Sequence, residues 1–568
     1  MALTTIEEIY QCIDNRESFI LDAGAGSGKT WSLVESIKYV IEQQGKEYSR
    51  NNQKIVCITY TNIAKNEIID RIENNELVMV STIHDFLWSC ISQFKIELKE
   101  KLIEIIDEKI SKVQIDLDKA KNKTTKTYQK NLEKKEKLES SKVELQSTNK
   151  TMKYKNYFSY RNNIVSHDEV IELSQKLFSS YSVIKKLIVD TYPIIFIDEY
   201  QDTFPSVIKI LLDDLNSDNL LLGFYGDKMQ KIYDKGIGEI SSEYNLKSIT
   251  KLENYRCSVS VVNLLNKIRD DIQQVPSGKN REIQGNCSFY KASEDSFNLS
   301  NFIDSNLQDR FGIAENRSNL KVLYLTHKLI ARENEYEELY NLVNGVGKSD
   351  ALTKKDEDRC PFIKFLYQIE DVVNLYQSNK IQRLLKTYSF EIDTFEEKKQ
   401  LKRILDILVK VRKRKTIDYV LKYVIKYRLL QRSEHMNDFD LEDESNSEYY
   451  NSLMNVEYEQ IIKACNIADN KTPFSTKHGT KGAEFENVLV VIDDSAWNMY
   501  SFDKYFAGDM SNENRFKRTQ NLFYVVCSRA KKNLAVLVLS ELQESSKTRI
   551  NELFGEIINL NIGESNAS

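Results

Sequence analysis

The stretch LDAGAGSGKTWSL (residues 21–33) decides the fold of the first part of the chain. An apolar run, SFIL (18–21), precedes it and a helical pattern that starts at Thr30 follows it, which is the strand–loop–helix context of a phosphate-binding loop. Small residues allow successive backbone N–H groups to surround phosphate oxygens at the positive end of the helix. We therefore expect nucleotide binding by Ala23, Gly24, Ala25, Gly26, Ser27, Gly28, Lys29 and Thr30.

A second stretch, IIFIDEYQD (194–202), reads as a buried strand that ends in two neighbouring carboxylates, Asp198 and Glu199. We expect Lys29 to neutralise the β- and γ-phosphates of ATP, and Thr30 and Asp198 to hold Mg²⁺. Glu199 is then placed to polarise the attacking water. The alternative is an ordinary strand end with solvated acids, but the two motifs together favour ATP hydrolysis.

The composition excludes several classes of protein. The chain has 568 residues, enough for about three to five structural units, and no apolar run approaches the roughly 20 residues of a membrane span. The first residues lack the layout of a signal peptide, so we expect a cytoplasmic protein. The eight cysteines form no C-x-x-C pair, which disfavours a zinc site. The net charge of −5 neither indicates nor excludes a nucleic-acid partner.

Seven apolar runs, separated by helical patterns, predict an α/β fold with two parallel-sheet cores. They are 18–23, 54–60, 193–200 and 219–227 in the first core, and 320–326, 486–494 and 532–540 in the second. Apolar residues at helical spacing from Leu98 to Leu117 predict a helical hairpin with a basic tip at 121–130. The tip is either merely exposed to solvent, or it binds nucleic acid or a partner. A later segment holds a basic amphipathic region, 398–428, followed by an acidic run, 437–448.

The two nucleotide motifs resemble those of superfamily 1 DNA helicases of the UvrD/Rep/PcrA type, which also carry Ala at the first position of the loop. Six further stretches resemble the remaining motifs of that family and occur in the family's order. They are IVCITYTNIAKNEIIDRI (55–72, motif Ia), VSTIHDFL (80–87, Ib), GDKMQKIY (226–233, III), LENYR (252–256, IV), TKHGTKGAEFENVLVV (476–491, V) and LFYVVCSRAKKNL (522–534, VI).

The resemblance implies two RecA-like parallel-sheet motor domains with two helical inserted subdomains. The implied boundaries are 1–93 with 156–258 for the first motor domain, 94–155 for the hairpin insert, 259–343 with 472–560 for the second motor domain, 344–471 for the second helical insert and 561–568 for a disordered tail. It also implies an ATP-driven helicase that moves 3′-to-5′ on single-stranded or tailed DNA.

Residues that match the family's motifs take the family's roles by resemblance. Gln230 senses the γ-phosphate, and Arg256 and Arg529 stabilise the charge that develops on it. Tyr255 stacks on adenine, and Glu484 is similar to the acid that contacts the nucleotide sugar. For a single arginine the alternative is a surface ion pair.

Single-stranded DNA is the second ligand that the resemblance implies. The matching positions are Thr59, Tyr60, Asn62, Thr82, His84, Tyr233, Thr476 and His478. Hydroxyls and small polar groups suit phosphate contacts that read no sequence, and a tyrosine can pack on a base; either histidine could instead be structural. Motif III departs from the family because Lys235 and Gly236 replace its Trp-Arg pair, which removes a base-stacking ring and puts processive unwinding in doubt.

Only 39 residues follow Arg529, which we expect to be too few for a nuclease domain. A compact motor of this kind resembles the helicase-like components of Gabija-type antiphage systems, which work with an OLD-family nuclease in a hetero-oligomer. The alternatives are a DNA-sensing regulatory ATPase of a nuclease complex, and a stand-alone repair helicase.

Overall fold

The chain divides into two compact units, Met1–Gln284 with Gln520–Ser528, and Gly285–Thr519 with Arg529–Ser568. The computed structural model describes residues 3–120, 122–148, 151–155, 158–231, 236–292, 298–315, 317–325, 327–345, 352, 360–388, 390, 392, 394–430, 444–469, 474–475, 483–494 and 499–560. Among these residues, no helix combines the length and the apolarity that are needed to cross a lipid bilayer.

The first unit contains a six-stranded parallel sheet. Its strands, with two short pairs, are β1 Phe19–Ala23, β2 Ile55–Thr59, β3 Val78–Thr82, β4 Lys153–Tyr154, β5 Ile164–Val165, β6 Ile194–Asp198, β7 Leu221–Gly226, β8 Lys247–Lys251, β9 Glu253–Asn254 and β10 Val275–Pro276. The order across the sheet is β3-β2-β6-β7-β1-β8, and every neighbouring pair is parallel. The parallel sheet predicted from the apolar runs is thus confirmed.

Helices cover both faces of this sheet. The helices of the first unit are α1 Thr5–Asp14, α2 Lys29–Asn51, α3 Asn62–Arg71, α4 Ile83–Ile91, α5 Lys95–Lys119, α6 Lys126–Ser147, α7 His167–Ser180, α8 Ser182–Thr191, α9 Pro205–Lys209 and α10 Val259–Ile268. Side chains alternate between the faces of a strand, so Ile55 and Cys57 enter the apolar core that includes α2, whereas Val56 and Ile58 enter the core that includes α7. Burial on both faces explains why the central strands are continuous apolar runs.

The helical hairpin predicted between residues 94 and 155 is present as α5 and α6. Leu98, Leu102, Val113 and Leu117 of its apolar stripe are buried, and α5 packs against α6 and α7. Of the basic residues of the predicted tip, Lys123 lies in the connection between the two helices and Lys126 and Lys130 belong to the start of α6, whereas Lys121 lies outside the described residues.

The second unit repeats the parallel arrangement with strands β11 Asn286–Lys291, β12 Leu320–Tyr324, β13 Phe474–Ser475, β14 Phe485–Ile492, β15 Ala530–Val538 and β16 Ile557–Asn559. The order is β13-β12-β14-β15-β11-β16, with all neighbours parallel. Its helices are α11 Leu299–Phe302, α12 Gln308–Phe311, α13 His327–Glu333, α14 Glu337–Gly345, α15 Pro361–Gln377, α16 Ile381–Thr387, α17 Phe395–Val411, α18 Ile417–Lys426, α19 Glu444–Asn455, α20 Glu459–Ala468, α21 Phe502–Phe506, α22 Glu513–Cys527, whose end belongs to the first unit, and α23 Glu544–Phe554.

The division between the units falls at Gln284, whereas the sequence placed the end of the first motor domain at residue 258. The reason is local pairing, because β10 (Val275–Pro276) pairs with β9 (Glu253–Asn254) and holds the intervening helix α10 in the first unit. The predicted second insert, 344–471, contains helices α15 to α20. Most of the acidic run and the predicted tail at 561–568 lie outside the described residues.

Candidate functional site

The loop between β1 and α2 has the backbone geometry of a phosphate cradle. Gly26 and Gly28 have φ angles of 76° and 79°, in the left-handed region that glycine adopts without strain. A Cβ on Gly26 would lie 2.6 Å from Cβ of Arg256 and 2.7 Å from Oδ1 of Asn254. The bare backbone therefore allows the LENYR stretch (252–256) to pack directly on the loop.

The structure brings Lys29, Asp198 and Glu199 together, as the sequence predicted. Nζ of Lys29 lies 2.7 Å from Oε2 of Glu199. Burial opposes the charge on Lys29, but Glu199 and Asp198 raise its pKa above the ordinary value, so the ammonium form is retained. Glu199 has a φ of 53°, which is rare for a non-glycine residue, and its backbone N–H donates to Oδ1 of Asp198 at 3.0 Å. The carboxylate of Glu199 thus contacts Lys29 directly, and Asp198 lies close enough to influence the same ammonium.

Gln230, the predicted γ-phosphate sensor, is connected to Glu199 by a chain of hydrogen bonds. Its side-chain amide donates to Oδ2 of Asp227 at 3.0 Å. The backbone N–H of Asp227 donates to Oε1 of Gln201 at 3.1 Å, and the amide of Gln201 donates to Glu199. The positions of Gln230 and Glu199 are therefore physically linked.

Three side chains that the sequence did not single out hold Ala25 in the middle of the loop. The N–H of Ala25 donates to the hydroxyl of Tyr524 at 3.0 Å. Its carbonyl accepts from the amides of Asn254 at 2.9 Å and Gln274 at 3.1 Å. Asn254 and Tyr524 lie inside motifs that the sequence identified, but Gln274 lies in no motif. With its N–H and C=O both engaged, Ala25 is fixed.

The hydroxyl of Tyr524 is positioned by Arg269, a buried residue without a sequence signal. Nη1 of Arg269 donates to this hydroxyl at 2.7 Å, and the guanidinium lies 5.0 Å from the ring centroid of Tyr524. Arg269 also forms ion pairs with Asp227 and Asp271. One buried cation thus joins the aspartate of motif III to the tyrosine that braces the loop.

The oxygen groups around the loop suit Mg²⁺. Asp198 is a buried carboxylate at the end of β6, and Thr30 is the second residue of α2. Oγ of Ser27 is buried and forms no hydrogen bond with the described residues. Mg²⁺ takes hard oxygen ligands and is usually held by one or two carboxylates together with substrate phosphates. Among the described residues no group of three or more His, Cys, Asp or Glu could hold a metal ion.

The other predicted nucleotide contacts differ in their surroundings. Tyr255 is 50% exposed, and its N–H donates to the carbonyl of Gly26 at 2.8 Å. A Cβ on Gly28 would lie 3.9 Å from Cδ2 of Tyr255, so the ring lies beside the loop. Arg256 also lies beside the loop. Arg529 and Glu484 belong to the second unit, where Nη1 of Arg529 donates to the carbonyl of Ala483 at 3.4 Å and Glu484 pairs with Lys531 at 2.7 Å. Contact of these two residues with a nucleotide stays a prediction.

The predicted DNA contacts include two hydroxyls that already have structural partners. Thr59 is buried and its hydroxyl donates to the carbonyl of Thr61 at 3.1 Å. Thr82 precedes α4 and its hydroxyl donates to Asp85 at 2.9 Å. Tyr60 is 40% exposed, and Asn62 is the first residue of α3. The remaining predicted contacts, and the residue that departs from motif III, lie outside the described residues: Tyr233, Thr476, His478 and Lys235.

His84 has the environment of a neutral, packed imidazole. Its ring centroid lies 4.4 Å from that of His167, and its Nε2 is buried without a hydrogen-bond partner among the described residues. Burial, followed by the influence of His167, lowers the pKa of His84 from 6.5 to about 4. At neutral pH His84 therefore carries no charge.

Replacement of His84 by Phe is expected to reduce the acid sensitivity of the protein. Because the pKa of His84 is lowered in the folded chain, its neutral form stabilises the fold above about pH 6.5, and this stability is lost as the pH falls towards 4. Urea unfolding should show that the loss of unfolding free energy between pH 7 and pH 5 is smaller in His84→Phe, by about 2 kcal/mol or less. Equal pH dependence of the two proteins would contradict this.

Replacement of Tyr524 by Phe is expected to weaken both the fold and ATP binding. The buried N–H groups of Ala25 and Arg269 lose an acceptor, which costs about 1–3 kcal/mol of unfolding free energy, and the loop becomes less ordered. Urea unfolding and the KM for ATP measure the two effects. The matched control is Tyr225→Phe, which removes a buried hydrogen bond to Ser36 elsewhere in the unit. If KM rises equally in both variants, Tyr524 does not act through the loop.

Comparison with known proteins agrees with this geometry. Residues 5–241 match the model of the UvrD/REP helicase N-terminal domain. The chain is 27% identical to the Gabija protein GajB of Bacillus cereus, over 97% of each chain. It is 23% identical to the probable DNA helicase II homolog of Mycoplasma genitalium, over 93% of this chain and 83% of the relative. It is also 24% identical to the ATP-dependent DNA helicase Rep of Buchnera aphidicola, over 90% and 88% of the two chains.

Proposed function

We propose that the chain is an ATP-driven motor on DNA, because its residues 5–241 match the UvrD/REP helicase N-terminal domain and the chain is similar to the DNA helicase Rep of Buchnera aphidicola. We propose movement 3′-to-5′ along single-stranded DNA, within the cytoplasm where ATP and DNA occur together, and action beside a separate nuclease in antiphage defence. The observation that carries the motor proposal is the contact of Lys29 with Glu199 beside Asp198 at the phosphate loop.

The chemistry starts from the ion pair between Lys29 and Glu199. A bound triphosphate offers Lys29 a stronger set of anionic oxygens, so the ammonium turns to the phosphates and releases Glu199. The released carboxylate accepts a proton of the water that attacks the γ-phosphorus, while the bond from this phosphorus to the β–γ bridging oxygen breaks and ADP and inorganic phosphate form. Mg²⁺, held by Thr30 and Asp198, would supply charge neutralisation on the phosphates.

Coupling of hydrolysis to movement requires residues that respond to the γ-phosphate. The hydrogen-bond chain from Gln230 through Asp227 and Gln201 to Glu199 supports Gln230 in this role. The place of Arg256 beside Gly26 supports it as a cation for the phosphates. We retain Arg529 as a second cation, and Tyr255 as the ring that stacks on adenine.

The motor proposal predicts that strand displacement depends on both motif residues. With ATP and a duplex carrying a 3′ tail, the chain is expected to show DNA-stimulated ATPase activity and to release the shorter strand. Lys29→Ala is expected to abolish both activities through loss of ATP binding. Glu199→Gln is expected to retain ATP binding but to lower kcat by about 10²- to 10⁴-fold. A duplex with a 5′ tail tests the polarity and should not be unwound.

The matched control is Lys38→Ala, which removes an exposed lysine of the same helix that pairs only with Glu35 in the described residues. It should leave ATPase activity and displacement unchanged. Strong DNA-stimulated hydrolysis without displacement or translocation would reject the motor and indicate a DNA-sensing regulatory ATPase.

The defence proposal is supported by the likeness to GajB along nearly the whole chain. It predicts that the chain forms a hetero-oligomer with an OLD-family nuclease from the same host, and that together they cleave phage DNA. Sizing of the co-expressed proteins and a cleavage assay with each protein alone and with both should show one complex that cuts only when complete. A monomer that unwinds DNA alone and leaves the nuclease unaffected would instead indicate a repair helicase.

A further inference from the structure

Lys251 is a buried lysine at the edge of the sheet that holds the phosphate loop. It is the last residue of β8, and the register of β8 against β1 places it opposite Ala23. Lys247, Ser248 and Thr250 of the same strand are exposed, whereas Lys251 is only 4% exposed. Because side chains alternate along a strand, Lys251 points to the same side as the core residue Ile249.

The surroundings of Lys251 do not supply a counter-ion. Its Nζ donates to Oγ of Ser32 at 2.7 Å and lies 5.1 Å from the ring centroid of Trp31. Among the described residues no carboxylate lies within ion-pair distance of this nitrogen. Burial lowers the pKa of Lys251, and the more distant charge of Glu253 only partly opposes this. A buried cation without an anionic partner is destabilising, so its presence calls for a ligand that supplies negative charge.

The position of Lys251 indicates which part of a bound ligand would supply the negative charge. A Cβ on Gly28 would lie 4.0 Å from Nζ of Lys251 and 3.9 Å from Cδ2 of Tyr255. Trp31 and Ser32 belong to the first turn of α2, whose unpaired backbone N–H groups favour phosphate. Lys29 faces Glu199, whereas Lys251 lies beside Tyr255, the residue proposed to stack on the base. Lys251 is therefore on the nucleoside side of the loop.

We propose that Lys251 is a nucleotide-binding residue whose ammonium pairs with the phosphate next to the nucleoside, the α-phosphate that ATP and ADP share. The inference rests on the proposed nucleotide site and adds a second cation to it. On binding, the ammonium moves from Ser32 to the phosphate, and the face of Trp31 guides this short movement. Lys29 and Lys251 then hold the two ends of the phosphate chain.

The test uses the full chain and Mg-ADP, in three variants. Lys251→Met removes the charge but keeps the length of the side chain, Lys251→Arg keeps a positive charge, and Lys247→Met removes an exposed lysine of the same strand. Isothermal titration gives the Kd for ADP, and thermal unfolding gives Tm with and without ADP. A charge-assisted hydrogen bond predicts that Lys251→Met raises the Kd about tenfold or more, that Lys251→Arg recovers part of this loss, and that Lys247→Met leaves the Kd unchanged.

The Tm without ligand separates a binding role from a structural one. Since Lys251→Met replaces an unpaired buried charge by an apolar chain of similar length, Tm without ADP should not fall, while the rise in Tm caused by ADP should shrink. A Kd within twofold of the wild type, or a lower Tm with an unchanged ADP-induced rise, would overturn the inference. If Lys251→Met weakens ADP binding but the wild-type chain displaces no DNA strand, only the motor proposal is refuted. If the wild-type chain binds no ADP, both proposals are overturned.

Discussion

The site in the first unit depends on the parallel register of β6, β7 and β1. Asp198 at the end of β6 lies opposite Tyr225 of β7, and the next residue of β7, Gly226, lies opposite Asp22 of β1. The carboxyl ends of parallel strands lie at one edge of the sheet. The turn with Asp198 and Glu199, which follows β6, and the phosphate loop, which follows β1, therefore meet at this edge, although β7 lies between the two strands. Gly226 is essential to this edge, because a Cβ would lie 2.3 Å from the ring of Tyr200, whose hydroxyl crosses it to donate to Asp22 at 2.6 Å.

The two lysines of the site have opposite electrostatic situations. Lys29 is buried between carboxylates that favour its charge, so the ligand must replace an existing partner. Lys251 is buried against a hydroxyl and an aromatic face, so the ligand would supply a partner that is missing. The free energy lost when the Lys29–Glu199 pair breaks would be partly offset by the free energy gained when Lys251 pairs with the ligand. Nucleotide affinity would then reflect a rearrangement of buried charge as well as new contacts.

The sequence predicts those parts of the fold and site that depend on neighbours along the chain. The central strands are apolar on both faces and are recognisable as runs, and Lys29, Asp198 and Glu199 lie in short motifs. Edge strand β8, KSITK (247–251), was missed because most of it is exposed, so its polar residues looked like a loop. The sequence does not predict the hydrogen bond between Ala25 and Tyr524, because the two residues are 499 positions apart and only folding brings them together.

Ala23, which departs from the usual glycine at the start of the loop, has a structural role as part of β1. It is the last residue of the strand and is fully buried in the core that packs against α2. Its methyl group therefore fills apolar space. The positive φ angles occur at Gly26 and Gly28, and the braced Ala25 separates these glycines from the strand. The loop thus begins at a core residue, Ala23, passes through Ala25, which hydrogen bonds hold in place, and continues to Gly26 and Gly28, whose positive φ angles suit a phosphate cradle.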